Sequence, residues 1–296
     1  MKSKIYVLVF SVAVALLIGG AAVFGIFQAK KPVDKDKTTE TKGSENTTKD
    51  EDASKENQDT ENGESSSGEE NTTAEPETTT NFAGQNFQNS AIDPNKPMVA
   101  LTFDDGPSRQ NTNRILDALK QYNAHATFFM VGYNIDGNED ILRRVTEEGS
   151  EVANHSATHS KLTALDAAGI ASEVDAIADK IKSITGQGSV LIRPPYGAVD
   201  ENVMAAIKDP VILWSIDTED WKTRNAQSTI QNIQSSVYDG AIILMHDLYG
   251  ETADAAVQII EWLNSQGYQM VTVSEMGYFR RGGLQPGVKY GSMKPN

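Results

Sequence analysis

Asp104 and Asp105, in the stretch Thr102-Phe103-Asp104-Asp105-Gly106-Pro107-Ser108, set two carboxylates side by side after an apolar run. Two such groups cannot both be anionic cheaply, and a bound cation is the simplest relief. Farther along, His155-Ser156-Ala157-Thr158-His159 places two imidazoles four positions apart. From a helical turn or a tight loop both can reach one ion. Ser156 follows the first histidine, where a zinc-protease helix has glutamate, so a base must come from elsewhere. Two neutral imidazoles and one carboxylate form a facial set with positions left open, which suits a catalytic zinc or another divalent first-row ion. Asp105 is the natural third ligand. Asp104 then stands beside the ion as a general base, because the ion brings the pKa of water down to about 7, within reach of a carboxylate. A carbonyl attacked there needs its oxyanion stabilised, by the ion and a backbone N–H. The leaving group needs a proton, for which His246 is the remaining candidate. His125 is expected to be structural.

These residues must be carried by elements that bring them together. From Pro97 onward, apolar runs alternate with amphipathic ones. Strands are expected over 99–103, 126–131, 151–154, 190–193, 211–216, 241–245 and 269–273. Helices are expected over 112–122, 139–148, 166–184, 200–207, 226–237 and 252–264. Repeated β-α alternation is the signature of a parallel sheet covered by helices. The expected fold is α/β, a distorted (β/α) barrel of about seven to eight parallel strands, with an open doubly wound sheet as the alternative. In either architecture, chemistry collects at the carboxyl ends of the strands. Asp104-Asp105, His155 to His159, Arg193 to Gly197, Asp217 to Trp221 and His246 all fall at such ends.

The ordered set Thr-Phe-Asp104-Asp105-Gly, His155-Ser-x-x-His159, Arg193-Pro-Pro-Tyr196-Gly, Asp217-x-x-Asp220-Trp221 and Leu244-x-His246 resembles the five motifs of the polysaccharide deacetylases, the family 4 carbohydrate esterases. The resemblance covers Pro97 to Met276. It implies a distorted (β/α) barrel and hydrolytic removal of acetyl groups from a glycan. By motif position it implies that Asp104 is the base and that Asp105, His155 and His159 hold the metal. It implies His246 as the acid, with Asp220 orienting it, and Arg193 as the partner that keeps Asp104 anionic. The Tyr196 N–H would help bind the oxyanion, and Trp221 and Leu244 would form a slot for the acetyl methyl. Asp217 lies in the fourth motif and could equally only shape its loop. The implied cofactor is a divalent metal, Zn2+ by default, with Co2+, Mn2+ or Ni2+ as alternatives. Peptidoglycan N-acetylglucosamine is the expected substrate; N-acetylmuramic acid, chitin oligomers, poly-N-acetylglucosamine and acetylated xylan are the alternatives within the class. A non-catalytic glycan-binding protein is the alternative outside it.

The rest of the chain bears on location. Residues 1–31 hold an uncharged run from Ile5 to Ala29, about 25 residues, long enough to span a bilayer as a helix. It is read as a membrane anchor with a short cytoplasmic tip, or else as a signal peptide. Residues 32–92 are read as a disordered acidic linker, since Pro32 to Thr80 lack aromatic side chains and nearly all aliphatic ones. Residues 93–283 form the expected catalytic barrel and 284–296 a tail. The expected location is the cell membrane, single-pass, with the catalytic domain extracellular, or secretion if the first segment is removed. With no cysteine, disulfides and thiolate metal ligands are excluded. The net charge of −15 argues against a nucleic-acid partner. A monomer is expected.

Overall fold

The first strand explains the rest of the architecture. The computed structural model describes residues 87, 91–187 and 190–295. Strand β1 (Met98–Asp104) is fully buried along its length. Its side chains alternate between two faces. Val99, Leu101 and Phe103 join one apolar cluster under the helices, whereas Met98 and Ala100 join a second cluster on the inner face. The inner-face positions then turn polar at the carboxyl end, with Thr102 and Asp104. That change of character along one face marks where the sheet stops being core and becomes a site.

After β1 come α1 (Asn111–Gln121), β2 (Thr127–Met130), α2 (Glu139–Glu147), β3 (Glu151–Asn154), α3 (Ala167–Thr185), α4 (Glu201–Ala206), β4 (Val211–Ile212) and β5 (Ile216–Asp217). Then follow α5 (Asp220–Thr223), α6 (Ala226–Ser236), β6 (Ala241–His246), α7 (Gly250–Ser265), β7 (Gln269–Met270), α8 (Val273–Arg281) and β8 (Lys289–Tyr290). The main sheet runs β3-β2-β1-β6-β5, with β7 also on β1, and every ladder is parallel. A separate parallel pair, β4-β8, is reached from β3 through single bridges at Ile192, to Asn154 and Val211. This is a parallel α/β fold, as the alternation predicts.

Three expected strands, over 190–193, 211–216 and 269–273, are markedly shorter than predicted. The run 190–193 makes single bridges at Ile192. The run 211–216 divides into β4 and β5, with Leu213-Trp214-Ser215 between them. The Ile212 and Leu213 carbonyls there accept from the buried Arg193 guanidinium, at 3.3 and 3.1 Å. The run 269–273 ends early because Thr272 caps α8, with Glu275 completing a reciprocal capping box. Residues read as a tail contribute β8 and Met293, which is fully buried in the inner cluster.

The predicted anchor and most of the predicted linker lie outside the described residues. Among the described residues, no helix is long and apolar enough to cross a membrane.

Candidate active site

The register of the central ladder sets up the site. Asp104 on β1 and His246 on β6 are direct partners across neighbouring parallel strands. Thr102 and Leu244, two positions earlier, are partners as well. All four side chains therefore share the inner face at the strand ends.

Asp104 is 3 % exposed, and a buried carboxylate needs a partner. Arg193 supplies it, donating to Asp104 Oδ1 at 2.6 Å and to Thr102 Oγ1 at 2.9 Å. The guanidinium is itself wholly buried and lies over the Phe129 ring, 4.1 Å from its centre. Every direction around it is filled, so the arginine cannot swing away from Asp104.

Asp105 adopts φ 70, in the left-handed region that few residues other than glycine take and that aspartate tolerates better than most. An extended strand would point it away from Asp104; this turn brings it back to the same side. Ser156 and His159 also have positive φ, 68 and 59. The loop holding them is tied by Ser156 N–H to Asn154 Oδ1 at 2.8 Å and by His159 N–H to Ser156 Oγ at 3.0 Å. The two imidazoles thus stand on a tight loop, not a helical turn, with ring centres 5.0 Å apart.

His155 Nε2 lies 3.5 Å, and His159 Nε2 3.3 Å, from Asp105 Oδ1. Ligands about 2.0–2.1 Å from a shared tetrahedral ion lie about 3.3–3.4 Å from one another, so the spacing fits. Asp105 Oδ1 is buried with no hydrogen-bond partner among the described residues. His155 Nδ1 sits 2.6 Å from the Arg193 carbonyl, which fixes its proton there and leaves the Nε2 lone pair facing Asp105. Burial pushes the His155 imidazole below its usual range, against the pull of Asp104 and Asp105, which favours the neutral form that a metal ligand needs. Asp105, His155 and His159 are the set among the described residues whose donor atoms could hold a metal ion.

On the far side of Asp104, His246 Nδ1 is 2.9 Å from Asp220 Oδ1. Asp220 is held in turn, accepting from the His246 backbone N–H at 2.8 Å and from Thr252 Oγ1 at 2.7 Å. Burial opposes a charge on His246, but the Asp220 hydrogen bond and charge, with Asp104 and Asp105, raise it to about 9. At neutral pH it is an imidazolium whose Nε2 proton is free to be given away.

A cavity of about 390 Å³ opens over these groups. Leu244 and Trp221 line it, as does Tyr196, whose ring packs edge-on against His159 at 4.7 Å. Tyr196 also has positive φ, in a turn closed by the Gly197 and Ala198 N–H groups. The structure therefore gathers all ten predicted residues, with Arg193 and Asp220 just behind the cavity wall. Asp217 lines it too, while its Oδ1 accepts from Glu219 N–H at 2.9 Å, so it does shape its loop.

Trp214 and Tyr249 escape sequence reasoning, and Asp247, next to His246 at its strand end, is given no role by it. Trp214 and Tyr249 are further wall residues. Asp247 is buried directly behind Gly106, where any side chain would strike its carboxylate at about 2.5 Å. Burial, with Asp105 and Asp104 nearby, pushes it up to about 7 against the Thr112 hydrogen bond. The Thr112 hydroxyl donates to Asp247 Oδ2 and accepts from Ser108 N–H at 2.8 Å. Asp247 so ties the segment after His246 to the turn after Asp105. Its only sequence signal is a carboxylate interrupting an apolar stretch.

Residues 91–210 match the polysaccharide deacetylase family model. The solved structure of the peptidoglycan deacetylase PdaC from Bacillus subtilis superposes with a TM-score of 0.63 at 42 % identity, over 64 % of this chain and 95 % of that one. The chain belongs to the polysaccharide deacetylase family. Full-length PdaC, a peptidoglycan-N-acetylmuramic acid deacetylase, is 43 % identical over 189 residues, 64 % of this chain and 40 % of PdaC. The peptidoglycan-N-acetylglucosamine deacetylase PgdA of Listeria monocytogenes is 41 % identical over 178 residues, 60 % of this chain and 38 % of PgdA. The chain thus spans about two fifths of the length of these relatives. A family 4 acetyl xylan esterase from Clostridium thermocellum, solved with a cobalt ion, matches with a TM-score of 0.62 at 31 % identity, over 66 % of this chain and 98 % of that one. In this member of the family, Asp105, His155 and His159 form a possible metal site.

Proposed function

We propose that this polysaccharide deacetylase hydrolyses the acetamide of an N-acetylated glycan, yielding a free amine and acetate. One observation carries the reading: a buried, arginine-held carboxylate and an aspartate-held imidazolium sit as register partners on β1 and β6, beside the Asp105, His155 and His159 set. Those three residues would hold a divalent ion, zinc by default, which would supply Lewis acidity toward water and negatively charged oxygen. Asp104 takes the proton of the water that attacks the carbonyl carbon. Arg193 keeps Asp104 anionic and fixes its orientation. The Tyr196 N–H faces the developing oxyanion. As the C–N bond breaks, His246 gives its Nε2 proton to the departing nitrogen, and Asp220 holds the imidazolium until then. Leu244 and Trp221 enclose the acetyl methyl.

The substrate we favour is N-acetylglucosamine of peptidoglycan. Support for peptidoglycan comes from the names of PdaC and PgdA, and for its N-acetylglucosamine from that of PgdA, whereas PdaC's name makes N-acetylmuramic acid the alternative. The uncharged Ile5 to Ala29 run followed by a polar segment suits a domain tethered outside a membrane. The test is acetate release from peptidoglycan fragments and N-acetylglucosamine oligomers, with products weighed by mass spectrometry. Chelator and Asp104→Asn should each lower the rate at least about 100-fold. A rate indifferent to both overturns the mechanism, and no release from any of these glycans overturns the function.

A further inference from the structure

The cavity over the candidate catalytic groups draws its charge from aspartates and imidazoles. Asp104, Asp105 and Asp217 line it, and among the described residues no lysine or arginine does. Arg193 stands behind the wall, wholly buried and paired with Asp104. Arg224 stands at the rim and is exposed. It touches two wall residues from outside, Trp221 after β5 and Tyr249 after β6.

Three contacts fix Arg224 in place. Its Nε donates to the Trp221 carbonyl at 2.9 Å. Its guanidinium carbon lies 3.1 Å from the centre of the Tyr249 ring. Its backbone N–H donates to the Asp220 carbonyl at 3.0 Å, closing α5. A guanidinium stacked on a ring keeps its edge for hydrogen bonds in its own plane. Trp221 takes the Nε part of that edge. The Nη groups pair with no carboxylate among the described residues, whereas Lys222, two positions earlier, pairs with Glu219 at 3.2 Å.

The backbone disfavours an arginine at this place. Arg224 caps α5 with φ 47 and ψ 42, a left-handed conformation. Glycine, and after it asparagine, takes such a cap with least strain. A strained residue beside a site, with an exposed charge that no carboxylate balances, marks a use outside the fold. The chemistry of that use follows from the free edge. Two parallel N–H groups of a guanidinium match the two oxygens of a carboxylate. N-acetylmuramic acid differs from N-acetylglucosamine by a lactyl ether that ends in a carboxylate. Beside Asp104, Asp105 and Asp217 that group is repelled unless a cation receives it.

We propose that Arg224 receives the lactyl carboxylate of a muramic acid unit at the rim between the β5 and β6 loops, so that the enzyme selects glycan strands carrying that acid. The inference rests on the deacetylase reading above. It is tested by acetate release from three substrates: peptide-free peptidoglycan strands with free lactyl carboxylates, the same strands methyl-esterified, and N-acetylglucosamine oligomers. Wild type and Arg224→Gln are compared at low and high salt. Wild type should favour the free over the esterified strands in kcat/KM. In Arg224→Gln that ratio should fall about threefold to tenfold, with the loss in KM. Salt should shrink the wild-type ratio and leave that of Arg224→Gln nearly level, because the contact is ionic. Mass spectrometry of the products assigns the carboxylate: acetyl loss from muramic acid puts it on the reacting sugar, and loss from glucosamine on the adjoining one. A free-to-esterified ratio that is the same in Arg224→Gln as in wild type overturns the inference even if both proteins are active. A wild type that releases no acetate from the strands or the oligomers defeats the deacetylase reading instead.

Discussion

His246 is charged because of what surrounds it. Removing an imidazolium from water disfavours the charge, and the Asp220 carboxylate at 2.9 Å more than reverses that cost. A proton donor of this kind works only while protonated. Activity should therefore hold below its pKa and fall as pH rises through about 9, and a bound cation nearby shifts that limb downward. Asp220→Asn removes the charge that raises His246, so the alkaline limb should move to lower pH by about one unit or more. A pH-rate profile checks this, and a limb that stays in place would assign the proton to another group. Asp104 shows the complementary design: an arginine is buried with it, and removing either partner leaves the other buried group without its counterpart.

At the scale of elements, the site is made where regular structure ends. Asp105, Ser156, His159 and Tyr196 all take positive φ, and each turns a side chain that an extended strand would have sent elsewhere. Those turns are paid for by the packing beneath them, including packing from the chain's last residues. Leu213 N–H donates to the Tyr290 carbonyl at 2.8 Å, and Met293 N–H to the Gly240 carbonyl at 2.8 Å. Gly240 has φ 89 and lies so close to the Met293 backbone that no side chain fits. Removing residues 284–296 deletes β8 with the buried Leu284 and Met293, and frees the segment whose carbonyls hold Arg193. The truncated protein should lose at least about 3 kcal/mol of stability in urea denaturation, with activity falling alongside. Unchanged stability would show that β8 is an appendage.

Across the whole fold, buried acids are accommodated in two ways. At the carboxyl ends, Asp104 is paired with Arg193 and Asp220 with His246. At the amino end of β3, Glu151 is buried with hydroxyl partners: Thr127 donates at 2.9 Å and Ser274 also donates to it. Burial raises Glu151 from 4.5 to about 7 despite these bonds. A raised carboxyl pKa means that the folded state binds the proton more tightly than the unfolded chain does. The stability it contributes is complete below 4.5 and is lost as pH rises through about 7, an effect of about 3 kcal/mol if Glu151 acts alone. Asp247, raised from 3.8 to about 7, acts in the same direction. Glu151→Gln cannot titrate, so its stability should vary less than wild type's between pH 4.5 and 7, as measured by thermal melts across that range. Equal slopes for the two proteins would mean that Glu151 is ionised throughout.

The sequence by itself determined the parallel α/β order, because β-α alternation sends strand ends to one edge; its resemblance to the family motifs named ten residues, all of which lie at or next to those ends. Tertiary structure alone decided how they meet. The Asp104 and His246 register, the reversed Asp105 and the tight 155–159 loop depend on contacts between residues far apart in the chain. Asp247, Trp214 and Tyr249 have no spacing that marks them, and their place becomes visible only once β1 and β6 lie side by side. The split between β4 and β5 was equally hidden, since an apolar run reads as one strand until a buried guanidinium claims its carbonyls.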